Sequence, residues 1–256
     1  MCLIFISYKK HPDYPLVIAA NRDEFYARPT APANFWDQHP DVLAGIDLMH
    51  SGTWLGITKT GRFTFVTNFR NPKLAKARAR SRGELTRDFL TGEENPGHYT
   101  RKVHNRRNQY NGFNLIAGDL TNLYYCASEL EDVRALTPGN YGLSNGLLDS
   151  PWPKVIYGKQ QFTECIRNQP DRDCLLAMLA DQTKADVDKL PDTGIDKALE
   201  HTLSSRFIST PEYGTRSSTI IAVDKNNRVH FLEKTYPVAG KEGSVQEYWF
   251  NLQQTA

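Results

Sequence analysis

A mixed fold, with two sheets held between helical layers, is what this 256-residue sequence predicts. Three observations point to it. Short apolar runs of strand length open and close the chain, helical spacing appears in two blocks between them, and no Pro/Gly/Ser-rich linker or internal repeat divides the whole. One continuous domain over residues 1–256 is therefore expected.

The elements follow in chain order. Leu3 to Tyr8 is a strand in which Leu3, Phe5 and Ser7 alternate with Ile4, Ile6 and Tyr8, so both faces are largely apolar, as in a central strand covered on both sides. Leu16 to Ala20 is a second strand and runs into Asn21-Arg22-Asp23-Glu24. Trp54 to Thr58 and Phe63 to Thr67 form a hairpin with Gly61 in the turn. Ser81-Arg82-Gly83-Glu84 has capping-box spacing and opens a helix through about Leu90; a second helix follows Pro96 toward Asn108. Phe113 to Ala117 and Leu123 to Ala127 are a second hairpin, turning at Asp119 to Asn122. Ser150-Pro151 starts a helix through about Arg167, and Cys174 to Leu179 lies in another. Thr219 to Val223 and Arg228 to Glu233 close the chain as strands around a Lys225-Asn226-Asn227 turn.

Composition narrows the function. Hydrophobic residues make up 39% of the chain, too many for a disordered protein. With 31 Lys+Arg against 29 Asp+Glu, a formal charge of +2 does not predict nucleic-acid binding, and none is expected. The apolar run from Cys2 to Ile6 is far too short for a signal-peptide core, and no stretch approaches the length of a membrane span, so a cytoplasmic protein is expected. Four cysteines without CxxC spacing or disulfide-scaffold density agree with that compartment, and seven histidines without tight spacing signal no metal site.

Cys2 carries the sharpest chemical reading. Removal of Met1 would leave a free amine and a thiol on one residue, and an amine with a reference pKa near 8 can take the thiol proton directly or through water. If the first two strands are antiparallel neighbours, Asp23 comes to lie beside Cys2, where an aspartate can hold or orient that amine.

Several ordered blocks extend the pattern: Met1-Cys2-Leu3, Asn21-Arg22-Asp23-Glu24 with Arg28-Pro29, Gly52-Thr53-Trp54-Leu55-Gly56, Thr67-Asn68-Phe69-Arg70, Ser81-Arg82-Gly83, Gly112-Phe113-Asn114-Leu115, Tyr141-Gly142-Leu143-Ser144-Asn145 with Trp152-Pro153-Lys154, and Gly214-Thr215-Arg216-Ser217-Ser218-Thr219. Over nearly its full length the chain resembles the NRDE-motif family, that of transport and Golgi organisation protein two. The resemblance implies an α+β fold, a four-layer αββα sandwich of the N-terminal-nucleophile hydrolase type. More distantly, the pattern is similar to the choloylglycine and penicillin V acylases, which cleave amide bonds with an N-terminal cysteine. That similarity implies Cys2 as nucleophile, Asp23 as the aspartate near the amine, Asn68 and Asn145 as asparagines able to stabilise an oxyanion, and Arg216 as a late catalytic arginine. Asn21, Arg22, Glu24, Trp54 and Arg70 are the expected substrate contacts. The acylases carry an arginine three residues before the aspartate, where this chain has Ala20 and instead sets Arg22 next to Asp23.

Two functions of different class follow. The fold type implies thiol-dependent hydrolysis of an amide in a lipid-like or acyl small molecule, with no cofactor required. The family implies a non-catalytic carrier or chaperone for haem or acyl-coenzyme A in haem and lipid homeostasis, haem being a bound ligand. The basic stretch from Arg70 to Arg87, with Lys73, Lys76, Arg78, Arg80 and Arg82, supplies cations of the kind such ligands' propionates or phosphates would meet.

Overall fold

Strand periodicity decides the layering. In the computed structural model, which describes residues 2–76, 78–238 and 241–253, β1 (Cys2–Tyr8) sends Ile4, Ile6 and Tyr8 to one side and Leu3 and Phe5 to the other. Both sides are covered, as the doubly apolar strand requires. One antiparallel sheet runs in the order β10 (Gly139–Leu143), β1, β2 (Leu16–Phe25), β11 (Tyr213–Val223), β12 (Arg228–Thr235), β13 (Val245–Asn251). The second runs in chain order: β3 (Thr30–Trp36), β4 (His39–Asp47), β5 (Leu55–Thr58), β6 (Phe63–Asn68), β7 (Phe113–Gly118), β8 (Leu123–Ala127) and β9 (Arg134–Ala135).

The apolar residues sort into three layers of contact. Ile4, Ile6, Ile18 and Ile221 of the first sheet meet Leu43, Phe65, Ile116 and Tyr125 of the second. Leu3, Phe5, Val17 and Ile220 pack outward against α3 (Pro153–Cys165) and α4 (Arg172–Leu179) through Phe162, Leu175 and Leu179. Val66, Phe113 and Leu115 pack outward against α1 (Gly83–Thr91) and α2 (Pro96–Asn105) through Leu85, Phe89 and Val103. The result is the four-layer αββα sandwich. A short α5 (Lys197–Thr202) precedes β11.

The contact of β1 with α3 is close enough to demand glycine. A Cβ on Gly158 would lie 2.2 Å from Phe5 Cζ, inside a wall of fully buried side chains. Gly158→Ala is expected to destabilise the fold by about 1–3 kcal/mol through overpacking, read as a lower urea midpoint at unchanged slope.

Differences from expectation have local causes. β3, β4 and β13 were not legible: β3 contains Pro32 and two register shifts against β4, and β13 alternates exposed with half-buried positions. The Ser81 capping box does not form, because the Glu84 carboxylate pairs with Arg80 and Arg82 occupies the cap position. α3 begins at Pro153 rather than Ser150-Pro151, with Pro in the first turn, and α2 stops at Asn105 before a separate 3-10 turn, Arg107–Gln109. The cysteines are not all free thiols: Cys165 and Cys174, Cα atoms 5.5 Å apart, are joined in a disulfide between the end of α3 and the start of α4. Cys2 and Cys126 remain free and buried. Among the described residues no helix is long and apolar enough to cross a membrane.

Candidate active site

The tetrad continues β2, and its alternation divides the site in two. Cys2 lies directly opposite Arg22 in the antiparallel register of β1 and β2, so both side chains share the inter-sheet face that carries Ile4 and Ala20. Asn21 and Asp23 share the opposite, helix-facing side. Asn21 Nδ2 donates to the carbonyls of Leu179 (2.8 Å) and Arg206 (2.9 Å), and Ser218 Oγ donates to its Oδ1 (2.6 Å). Asp23 Oδ1 accepts from Thr215 Oγ1 at 2.8 Å. The first member of the tetrad is thus an anchor between layers, and a substrate would not reach it.

The Cys2 thiol borders a cleft of about 220 Å³ lined also by Arg22, Glu24, Arg28, Trp54, Asn68 and Arg82. The Arg22 guanidinium stacks 4.2 Å over the Trp54 ring and donates to Thr30 Oγ1 at 3.2 Å. Asn68 ends β6 at the cleft wall, and among the described residues nothing engages its side-chain amide. Glu24 accepts from its own neighbour's N–H, Phe25, and stands 3.9 Å from Arg28, whose guanidinium forks onto Asp47.

Three expected residues lie elsewhere. Arg216 is the extra residue of a β-bulge, since Thr215 pairs with Asp23 and Ser217 with Arg22. The bulge turns its side chain away, and its Nη1 donates to the carbonyls of Phe25, Tyr26 and Arg28, fastening the chain after β2. It borders a neighbouring cavity that shares Arg22 and Trp54 with the Cys2 cleft but not Cys2 itself. Asn145 donates from Nδ2 to the Asn68 carbonyl at 2.9 Å, and faces a second cavity of about 500 Å³ together with Arg70, Trp152 and Leu147. Arg70 forms a buried ion pair with Glu200 and stacks 5.1 Å from Trp152. The basic stretch is largely committed: Lys76 Nζ caps the carbonyls of Asn108 and Tyr110, and Arg87 pairs with Asp88. Met1, whose removal the amine chemistry requires, lies outside the described residues.

Burial sets the charge states. It pushes the Cys2 thiol up, with Asp23 adding to the effect and Arg22 opposing it. Burial also raises the Asp23 carboxyl, against the pull of Lys154, the Thr215 hydrogen bond and Arg70. Lys154 and Glu200, two charged groups the sequence did not single out, lie behind the cleft, the first acting on Asp23 and the second paired with Arg70. Lys154 is 6% exposed, donates from Nζ to the Leu203 carbonyl at 2.8 Å, and sits in the first turn of α3, where the helix dipole disfavours a cation.

Burial pushes Lys154 down to about 8, with Arg70 adding to the depression and Asp23, Glu200 and Cys2 opposing it. Between pH 8 and pH 10.5 the unfolded chain holds a proton on this lysine that the folded chain has released, so its contribution to stability rises with pH through that window. Lys154→Met removes this slope. The stability of wild type relative to Lys154→Met is expected to increase by up to about 3 kcal/mol between pH 8 and 10.5, measured by urea unfolding.

A buried cysteine opens the first strand and is faced by the Asn21-Arg22-Asp23-Glu24 tetrad on the second, within the αββα class of α+β sandwich. Within that class the chain matches the family model of Transport and Golgi organisation 2 over residues 1–237, and it belongs to that family. It is 41% identical to the Transport and Golgi organization protein 2 homolog of Homo sapiens and 39% identical to that of Bos taurus, each alignment covering 92% of this chain and 93% of the relative. The Drosophila melanogaster protein is 29% identical over 92% of both chains. Among solved structures, the Caenorhabditis elegans ortholog of N-acylethanolamine-hydrolyzing acid amidase superposes with a TM-score of 0.48 at 10% identity, covering 86% of this chain and 92% of that one. A mutant conjugated bile acid hydrolase from Clostridium perfringens gives 0.49 at 11% identity, covering 100% and 99%.

Proposed function

We propose that the protein hydrolyses an amide bond in an acyl or lipid-like small molecule, with Cys2 as nucleophile. The observation that carries this reading is the position of the thiol: it starts a fully covered central strand, yet opens on a cleft whose wall presents the disengaged amide of Asn68.

After loss of Met1, the thiol attacks the substrate carbonyl while its proton passes to the α-amine of the same residue, which Asp23 orients. The Asn68 amide N–H donates to the developing oxyanion, and Asn145 holds the Asn68 backbone by its 2.9 Å bond. Collapse breaks the C–N bond, the leaving nitrogen takes the proton, and water then cleaves the thioester to release the acid and restore the thiol. Burial raises the thiol from its ordinary range, which favours a proton that leaves with attack over a preformed thiolate.

The test is intact mass before and after incubation with N-acyl amides. Loss of Met1 and an acyl adduct on Cys2 support the hydrolase. Met1 retained throughout, with reversible ligand binding and no adduct, rejects it in favour of the carrier reading. That second reading draws on the larger cavity, where Phe69, Leu147 and Trp152 offer apolar surface beside the cations Arg70 and Lys73, a combination suited to haem or acyl-coenzyme A. Carrier binding would survive both Met1 retention and Cys2→Ala.

A further inference from the structure

Among the described residues, two arginines in the Cys2 cleft make no ion pair with a carboxylate. Arg22 is 6% exposed and Arg82 is half-buried, and among the described residues no Asp or Glu oxygen comes within 4.0 Å of either guanidinium. Each makes one hydrogen bond to a neutral acceptor, Arg22 to Thr30 and Arg82 from Nη1 to the Gly112 carbonyl at 3.0 Å. A guanidinium carries five N–H donors, so most of the donor capacity of both groups is left for the cleft.

Glu24 and Asp47 act on these arginines only at a distance, without a direct ion pair, because each is committed elsewhere. Asp47 is forked by Arg28, and Glu24 is shared between the Phe25 N–H and Arg28. Asp23 also borders the cleft, but its carboxylate accepts from Thr215 Oγ1 and burial raises its carboxyl toward the neutral form. Glu233, which borders the neighbouring cavity with Arg22, accepts from the Ala33 N–H at 2.7 Å, and burial raises its carboxyl toward the neutral form. Burying cations without counter-ions is costly unless something else supplies the negative charge.

We propose that the Cys2 cleft selects molecules bearing a small anionic group, a carboxylate or a phosphate, held by Arg22 and Arg82 beside the thiol. The planar fork of a guanidinium matches either anion in bidentate fashion, and stacking on Trp54 holds the Arg22 fork in one orientation. A cleft of about 220 Å³ is below the usual 300–1,000 Å³ of a site enclosing a whole drug-sized ligand, so it takes the anionic and reacting end while the rest stays outside. The substrate class becomes an acyl amide with a negative charge a few bonds from the scissile carbonyl, which rests on the hydrolase reading of the same cleft.

Alkylation of Cys2 by iodoacetate and by iodoacetamide, quantified by peptide mass, tests this without requiring turnover. The two reagents differ chiefly in charge, and the ratio of their rates cancels the thiolate fraction. The iodoacetate-to-iodoacetamide ratio at Cys2 is expected to exceed that of the same thiol in the urea-unfolded chain, to fall about tenfold in Arg82→Gln and in Arg22→Gln, and to recover in Arg82→Lys. Fully buried Cys126 reports the fold, since it stays unmodified while the chain is native. If Arg22→Gln exposes it, the half-buried Arg82 variants decide. Protection from iodoacetamide by butyrate or by inorganic phosphate, at constant ionic strength, separates carboxylate from phosphate. A wild-type ratio no higher than in the unfolded chain, or protection by neither anion, overturns the proposal. A charge-dependent ratio in a protein that never forms an acyl adduct would sink the hydrolase and leave the anion site standing.

Discussion

Protein carrying Cys2→Ala is expected to form no acyl adduct and to turn over amide substrates at least about 10⁴-fold more slowly than wild type, with its fold unchanged. The size of the loss follows from what is removed. Alanine deletes the proposed nucleophile, whereas the Asn68 amide, Arg22 and the cleft remain, so substrate binding should persist. A large fall in kcat with little change in substrate affinity is the signature to look for in single-turnover kinetics. Equal rates in the variant and wild type would end the hydrolase proposal, since no other thiol borders the cleft: Cys126 is fully buried in the layer under α1 and α2, and Cys165 and Cys174 are joined.

The second large effect concerns stability. Arg70 and Glu200 form an ion pair whose side chains are only 7% and 3% exposed, and Thr193 also donates to the Glu200 carboxylate. Glu200→Leu leaves the buried Arg70 charge without that carboxylate and is expected to destabilise the protein by about 3–5 kcal/mol, seen as a lower urea midpoint. The double variant Arg70→Met, Glu200→Leu should recover most of the loss, because the penalty lies in stranding one charge more than in losing the pair. A double variant no more stable than the single one would show that Arg70 is needed by its other neighbours, Asn145 and Trp152.

What the sequence revealed, and what it hid, divides by the range of the interaction. The double-sided β1 and the turn at Asp119, whose carboxylate accepts from the N–H groups of Thr121 and Asn122, were readable because period-two alternation and turn chemistry are local. Placing two short strands side by side brought the tetrad to Cys2, but the register sets Arg22 opposite it where Asp23 was expected. Arg216 could not be assigned by alternation, since one bulged residue reverses the face of everything before it and no spacing rule announces the bulge. Lys154 and Glu200 were hidden because the fold, not sequence distance, brings them to Asp23 and Arg70. The Cys165 and Cys174 bond depends on the turn between α3 and α4, whose geometry a nine-residue separation does not specify.

The four-letter signature is in fact two interleaved ones. Arg22 works with Cys2 between the sheets, while Asn21 and Asp23 work behind them, tied to Leu179, Arg206, Ser218 and Thr215. Inserting or deleting one residue between the apolar run Leu16 to Ala20 and the tetrad would keep every letter of the motif yet exchange the roles of its odd and even members. A change of two residues would keep each on its own side. Parity, which a motif search does not score, is therefore the property that separates a chain able to present this site from one that only spells it.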